Sequence, residues 1–293
     1  MKKLLSLATV FMLVFLTSAS ALAGTNDHNS KSLKKNAAIV EQIAAGDDYL
    51  VGGGVPFDGS TESQGDFSIQ WASGGVDHTH QYLTSRALTI LKIDKGDTTA
   101  NLLIKYAGIL LANSDWPDSY ENDLGLYLGH FYNPDTGRTL FRVSKPTAMT
   151  RFLEHTQKAA AYYAKNKNAS MQELGRALHY LADINTPHHA ALLTALNSNH
   201  ATFEKFVDST RLDYSVYTTD KYSVASTDAT RDLKGYSREI FNLSARHALE
   251  YKTQATSTSV ESMQIAAKNT MEYSQEIMAA FLFNFLRAVK AVR

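Results

Sequence analysis

The 293-residue chain has no cysteine. Disulfide staples and thiolate metal sites are therefore excluded, and any bound metal must rest on histidine, aspartate, glutamate and backbone groups. A dominant charge is also lacking: 29 Lys and Arg stand against 29 Asp and Glu. That balance argues against a nucleic-acid surface built on bulk charge, though not against a local patch. Beyond the N-terminus no apolar run is long enough to cross a bilayer. No internal repeat and no coiled-coil heptad is present.

The N-terminal part divides by composition. Residues 1–23 read as a secretory signal, with Lys2 and Lys3 ahead of an apolar core and Ala21-Leu22-Ala23 as the cleavage site. The expected location is extracellular. Residues 24–70 hold Gly52-Gly53-Gly54, Pro56 and more acids than lysines, the composition of a pro-segment or flexible leader. Residues 71–293 are then long enough for one domain with a real core, slightly positive in charge.

Helical periodicity dominates that domain. Residues 79–93 and 98–112 carry apolar stripes, with Asp97 placed to cap the second. Residues 114–120 read as a polar break around Pro117, followed by a short helix near 119–128. Asn133-Pro134-Asp135-Thr136-Gly137 has turn chemistry. Helices are expected from Pro146 to about Lys165, over 170–184, from about His200 to Ser209, over 229–252 and over 260–292. Residues 214–228 read as a loop or a short strand, and the last helix is apolar enough to be central. The fold class is all-α, a single-domain multi-helix bundle.

Residues 175–207 hold most of the chemistry: His179, Asp183, His188, His189, His200 and Glu204. His179/Asp183 and His200/Glu204 are each spaced i, i+4, which puts both members on one helix face. Imidazole and carboxylate on adjacent turns are what a zinc ion needs from a rigid scaffold. Each pair alone is also readable as a hydrogen-bonded couple. His188 points away from His189 and belongs behind the ligands or at the surface. Upstream, Asp77-His78-Thr79-His80 opens the first helix, and Asp118 and His130 flank the segment before the turn. His155 and His247 read as structural or exposed.

These residues, in this order, resemble the bacterial zinc-dependent phospholipases C, the phosphatidylcholine-cleaving and clostridial α-toxin type. The resemblance is carried by Trp71, Thr79-His80, Trp116-Pro117-Asp118, His130-Phe131-Tyr132-Asn133-Pro134-Asp135, His179-Tyr180-x-x-Asp183, Pro187-x-His189 and His200-x-x-x-Glu204. It implies a helical bundle holding three zinc ions. Asp118, His130, His179 and Asp183 would hold one, and His189, His200 and Glu204 a second. His80, a bridging Asp183, and the amino and carbonyl groups of Trp71 would hold the third. A free Trp71 amine requires cleavage after Gln70 by a maturing protease, so the precursor is expected to be a zymogen.

The resemblance implies hydrolysis of the glycerol-side phosphodiester of a phospholipid at a membrane surface, with Asp118 as general base. Phosphatidylcholine is the favoured substrate, with Tyr127 and Tyr120 as aromatic faces for its ammonium group. A single-domain monomer without an appended lipid-binding β-sandwich is expected, with no nucleic-acid partner. Two alternatives stand beside it. One is the related trinuclear zinc nuclease class, which places the second ion's last ligands further along and ends in Asp. The other is a non-catalytic, metal-stabilised helical binding module.

Overall fold

The computed structural model describes residues 78–293. Trp71, the signal and the leader lie outside them. Among the described residues nine α-helical segments follow in order: α1 (Thr79–Ile104), α2 (Ala107–Tyr120), α3 (Ala148–Tyr162), α4 (Lys167–Ile184), α5 (Pro187–Ala190), α6 (His200–Thr210), α7 (Leu233–Glu250), α8 (Lys252–Ala255) and α9 (Val260–Ala288). Among the described residues the only β feature is an isolated bridge between Asn133 and Arg138. The fold is the expected all-α bundle.

Local chemistry explains most boundaries. Thr147 and Thr150 form a reciprocal capping box that starts α3. The Asn166 side chain accepts from the Ala169 N–H and starts α4. Pro187 occupies the first turn of α5, where its missing N–H costs nothing. In the Asn133 turn, the Asn133 side chain accepts from the N–H groups of Asp135 and Thr136, and Gly137 takes φ +67.

Three expectations change. The break expected between residues 93 and 98 is present, since Gly96 (φ 78, ψ 165) kinks Thr79–Ile104 into two helical stretches and Asp97 stands directly after the kink. The second stretch ends sooner than expected, at Ile104, and residues 107–112 belong to α2. The polar break at 114–120 is helical, forming the end of α2. Pro117 removes only one donor there, and Asp118 reaches the ligand cluster while Ser119 and Tyr120 stay exposed. The helix near 119–128 is replaced by 3-10 turns at Asp123–Gly125 and Leu128–His130. Of the two readings of 214–228 the loop holds, with a 3-10 turn at Lys221–Ser223.

α9 is the central helix: Met271, Ile277, Met278, Phe281, Leu282, Phe285 and Leu286 are fully buried. It packs on α1 and α7, while α4 packs between α2 and α3. Burying each such side chain contributes about 1.5–3 kcal/mol relative to exposure. The bundle thus fixes α1, α2 and α4 against one another, and these are the helices that carry most of the candidate ligands.

Candidate metal centre

α4 contributes His179 and Asp183 from one face, both fully buried. α1 brings in His80 from its first turn, and α2 brings in Asp118 from its last. His130 ends a 3-10 turn. His189 follows from α5, and α6 supplies His200 and Glu204 one turn apart.

The distances define three groups, His80/Asp118/His179 and His130/His179/Asp183, which share His179, and His189/His200/Glu204, each with ligand atoms within 4.8 Å of one another. Asp183 is the hub. It lies 3.4 Å from His80 Nε2, 2.8 Å from His130 Nδ1 and 3.1 Å from His179 Nε2. Glu204 Oε1 stands 2.8 Å from His200 Nε2 and 3.4 Å from His189 Nε2. Asp118 Oδ1 is 3.6 Å from His130 Nδ1 and 3.5 Å from His179 Nε2.

Three imidazoles are aimed by backbone carbonyls. His179 Nδ1 meets Ser114 O at 2.8 Å, His189 Nδ1 meets His130 O at 2.9 Å, and His130 Nε2 meets Glu121 O at 3.2 Å. A carbonyl only accepts, so those nitrogens carry the hydrogen. The other nitrogen of each ring then presents a lone pair to the cluster, the arrangement that orients metal-ligating histidines.

In the metal-free cluster burial and charge compete for the protons on these groups. Burial holds His80 well below the usual histidine range and takes His200 down to about 3. Burial pushes Glu204 up to about 8. For His179 burial opposes the charged ring, but the Asp183 and Asp118 carboxylates outweigh it and lift the group to about 9. Burial likewise works against ionised Asp183, but His179, His189 and His130 overcome it and hold the carboxyl well below its ordinary range.

The donors are all nitrogen and oxygen, and Asp183 Oδ1, His189 Nε2 and Glu204 Oε2 are buried with no hydrogen-bond partner among the described residues. Each such orphan costs about 1–3 kcal/mol unless something satisfies it. The set therefore fits zinc.

The comparisons with known proteins agree. The sequence pattern of the family described as zinc dependent phospholipase C matches residues 79–258. This chain belongs to that family. The zinc-dependent phospholipase C match takes in all the helices that bear the cluster. Among curated relatives, a phospholipase C of Clostridium perfringens is 29% identical over 236 residues, 72% of this chain and 59% of that one. A phospholipase C of Bacillus cereus is 31% identical over 149 residues, 47% of this chain and 52% of its own. The chain thus spans 59% of the length of the Clostridium perfringens relative. The solved alpha toxin from Clostridium absonum superposes with a TM-score of 0.66 at 23% identity, covering 74% of this chain and 66% of that one. That likeness speaks for the fold.

Every expected ligand within the described residues falls into the cluster; Trp71 lies outside them. For the other histidines one of the two expected readings holds. His188 is fully buried, stacked on His200 with ring centres 4.9 Å apart and bonded to Asn199 at 3.0 Å, so it lies behind the ligands and not at the surface. His155 is buried between Glu121 and Glu173, and His247 stacks on Tyr273 at 4.0 Å. Tyr127 is buried edge-on to His130, ring centres 5.5 Å apart. Tyr120 is 61% exposed and stacks on Trp116 at 4.9 Å.

Sequence reasoning missed a polar network behind the ligands, formed by Glu121, Asp123, Arg151, His155, Glu173 and Tyr180. Its members are far apart in sequence. Its one local signal was that Tyr180 sits beside His179.

Proposed function

We propose that this domain is a secreted phospholipase C, which hydrolyses the glycerol-side phosphodiester of glycerophospholipids to diacylglycerol and a phosphorylated head group. The observation that carries the reading is the clustering of three buried N/O ligand groups, two of them sharing His179 and one containing the partly exposed Asp118. Asp118 is 12% exposed in its side chain, whereas His80, His130, His179, Asp183 and Glu204 are sealed. A substrate phosphate thus meets the cluster on the Asp118 side.

The proposed division of ligands is the one the family resemblance implies, and the grouping of His189, His200 and Glu204 supports its second set. Asp118, His130, His179 and Asp183 would hold one zinc, and His189, His200 and Glu204 a second. His80, Asp183 and the amino and carbonyl groups of Trp71 would hold the third. When bound, zinc neutralises charge on the phosphate oxygens and lowers the pKa of a coordinated water. Asp118 accepts the proton of the attacking water, whose oxygen forms the new bond to phosphorus. The bond from phosphorus to the glycerol oxygen breaks, and that oxygen leaves with the proton that Asp118 took from the water. Cleavage after Gln70 frees the Trp71 amine and completes the third set in the matured monomer.

Surface features favour a lipid over a nucleic acid. Leu124 and Phe141 are 87% and 75% exposed, at the 3-10 turns that precede and follow the His130 segment. Tyr120, in the same final turn of α2 as Asp118, offers an aromatic face suited to a choline ammonium, and Tyr127 lines His130. The test is a head-to-head assay of zinc-loaded protein starting at Trp71 on phosphatidylcholine vesicles and single-stranded DNA. Diacylglycerol and phosphocholine are expected from the first, and no nucleotides from the second. Nuclease activity without lipid cleavage would overturn the reading.

A further inference from the structure

We infer that Arg151 is a positioning residue of the metal centre, holding both ends of the loop that presents His130. It rests on the zinc reading above but concerns a side chain outside the ligand set.

His130 faces Asp183 through Nδ1 because its Nε2 is held by the Glu121 carbonyl. That carbonyl belongs to no regular element: α2 ends at Tyr120, and Glu121 is the residue that caps it. Arg151, from the first turn of α3, donates through Nη1 to the same carbonyl. Through Nη2 it donates to Asp123 Oδ1. The other Asp123 oxygen accepts the Gly129 N–H at 2.7 Å, immediately before His130. One guanidinium therefore grips the loop at residue 121 and, through Asp123, at residue 129. A planar fork of donors suits this double grip, and a single ammonium does not.

The loop needs holding. Asp123, Leu124 and Tyr127 take φ of 53, 60 and 51, in the left-handed region that side chains with a Cβ seldom occupy. Gly129 is shaped to the clamp: a Cβ there would stand 2.7 Å from Arg151 Cδ and collide with the guanidinium. The clamp also reaches α4. Arg151 Nη1 lies 3.1 Å from the hydroxyl of Tyr180, which donates to the Glu121 carboxylate and is the neighbour of His179. Arg151 thus ties together the ends of the three segments that bring Asp118, His130 and His179 to one point.

Outer partners of metal-bound histidines change metal affinity about 10–100-fold when removed. The test uses the full chain carrying Arg151→Met, Arg151→Lys or Asp123→Asn, with zinc affinity read by chelator competition and the His130 tautomer by nitrogen-15 chemical shifts. Arg151→Met should weaken the tightest zinc step it affects by about tenfold or more and leave His130 in mixed tautomers. Asp123→Asn should fall between it and wild type. Should Arg151→Met fail to fold, Arg151→Lys decides, with a loss of threefold or more on the order expected for half a clamp. A folded Arg151→Met, or failing that Arg151→Lys, with wild-type zinc affinity and a single His130 tautomer overturns the inference while the zinc reading stands. A wild type that takes up no zinc overturns the zinc reading itself, and the inference with it.

Discussion

Gly175 lies one turn before His179 on the face of α4 that meets α2. Replacing it by alanine sets two effects against each other. Alanine favours a helix over glycine by about 1 kcal/mol. A Cβ at this position, however, would stand 2.6 Å from the Leu110 carbonyl oxygen and 2.8 Å from Asn113 Cβ. The first of these is backbone, so the strain cannot be relieved by turning a side chain. Overpacking of this kind costs about 1–3 kcal/mol, and a backbone obstacle places the cost at the upper end. The net expectation for Gly175→Ala is a loss of roughly 1–2 kcal/mol, seen as a fall in Tm of about 2–8 °C. The displacement also moves the Ser114 carbonyl that holds His179 at 2.8 Å, and Asp118 beyond it. Zinc affinity should drop about tenfold with stability. Urea unfolding with and without zinc, together with chelator competition, reads both quantities. A variant more stable than wild type by about 1 kcal/mol with unchanged zinc affinity would show that helix preference wins and that the α2–α4 contact does not set the ligand geometry.

Other outcomes follow from the same structure. Glu204→Gln should remove about one zinc per chain, measured by elemental analysis, because Glu204 is the one carboxylate of the His189/His200 group. In the metal-free protein Glu204 titrates at about 8 and His179 at about 9, so both hold protons at neutral pH that zinc must displace. Zinc affinity should therefore rise by about tenfold or more per pH unit between pH 6 and 8, with proton release detectable by calorimetry in buffers of different ionisation enthalpy. For His155, burial opposes the charge but Glu121 and Glu173 outweigh it and raise the pKa above 6.5. For Glu121, burial also opposes ionisation, yet His155 and Tyr180 bring it down to about 2 from 4.5. The His155 contribution is full below 6.5 and fades as pH rises through its raised value; that of Glu121 is full above 4.5 and fades toward pH 2. The stability lost in His155→Gln should thus be largest near pH 5.5 and shrink at alkaline pH, as followed by urea unfolding. Phe141→Asp should lower hydrolysis of vesicles several-fold while sparing a short-chain soluble substrate, since it charges an exposed loop tip and touches no ligand.

The ligand-bearing helices were legible because their signals are local. The i, i+4 pairs on α4 and α6 and the apolar stripes beside them depend only on helical period. The end of α2 is not legible because Pro117 and its polar neighbours look like a break, although a proline late in a helix removes a single donor and Asp118 is held in the ligand cluster. The Arg151 clamp was invisible: Arg151 meets Glu121, Asp123 and Tyr180 across separations of 28 to 30 residues, and two of its acceptors are a backbone carbonyl and a hydroxyl. For His155 the structural reading holds, but its partners are not legible, since Glu121 and Glu173 approach it from 34 and 18 residues away.

The central claim is that a buried histidine and carboxylate cluster forms a three-zinc centre. Anomalous diffraction at the zinc edge, from crystals of the zinc-loaded protein starting at Trp71, tests it most directly. The account predicts three peaks, two around Asp183 shared among His80, Asp118, His130 and His179, and one between His189, His200 and Glu204. A single peak, or zinc held only by surface histidines, would contradict it.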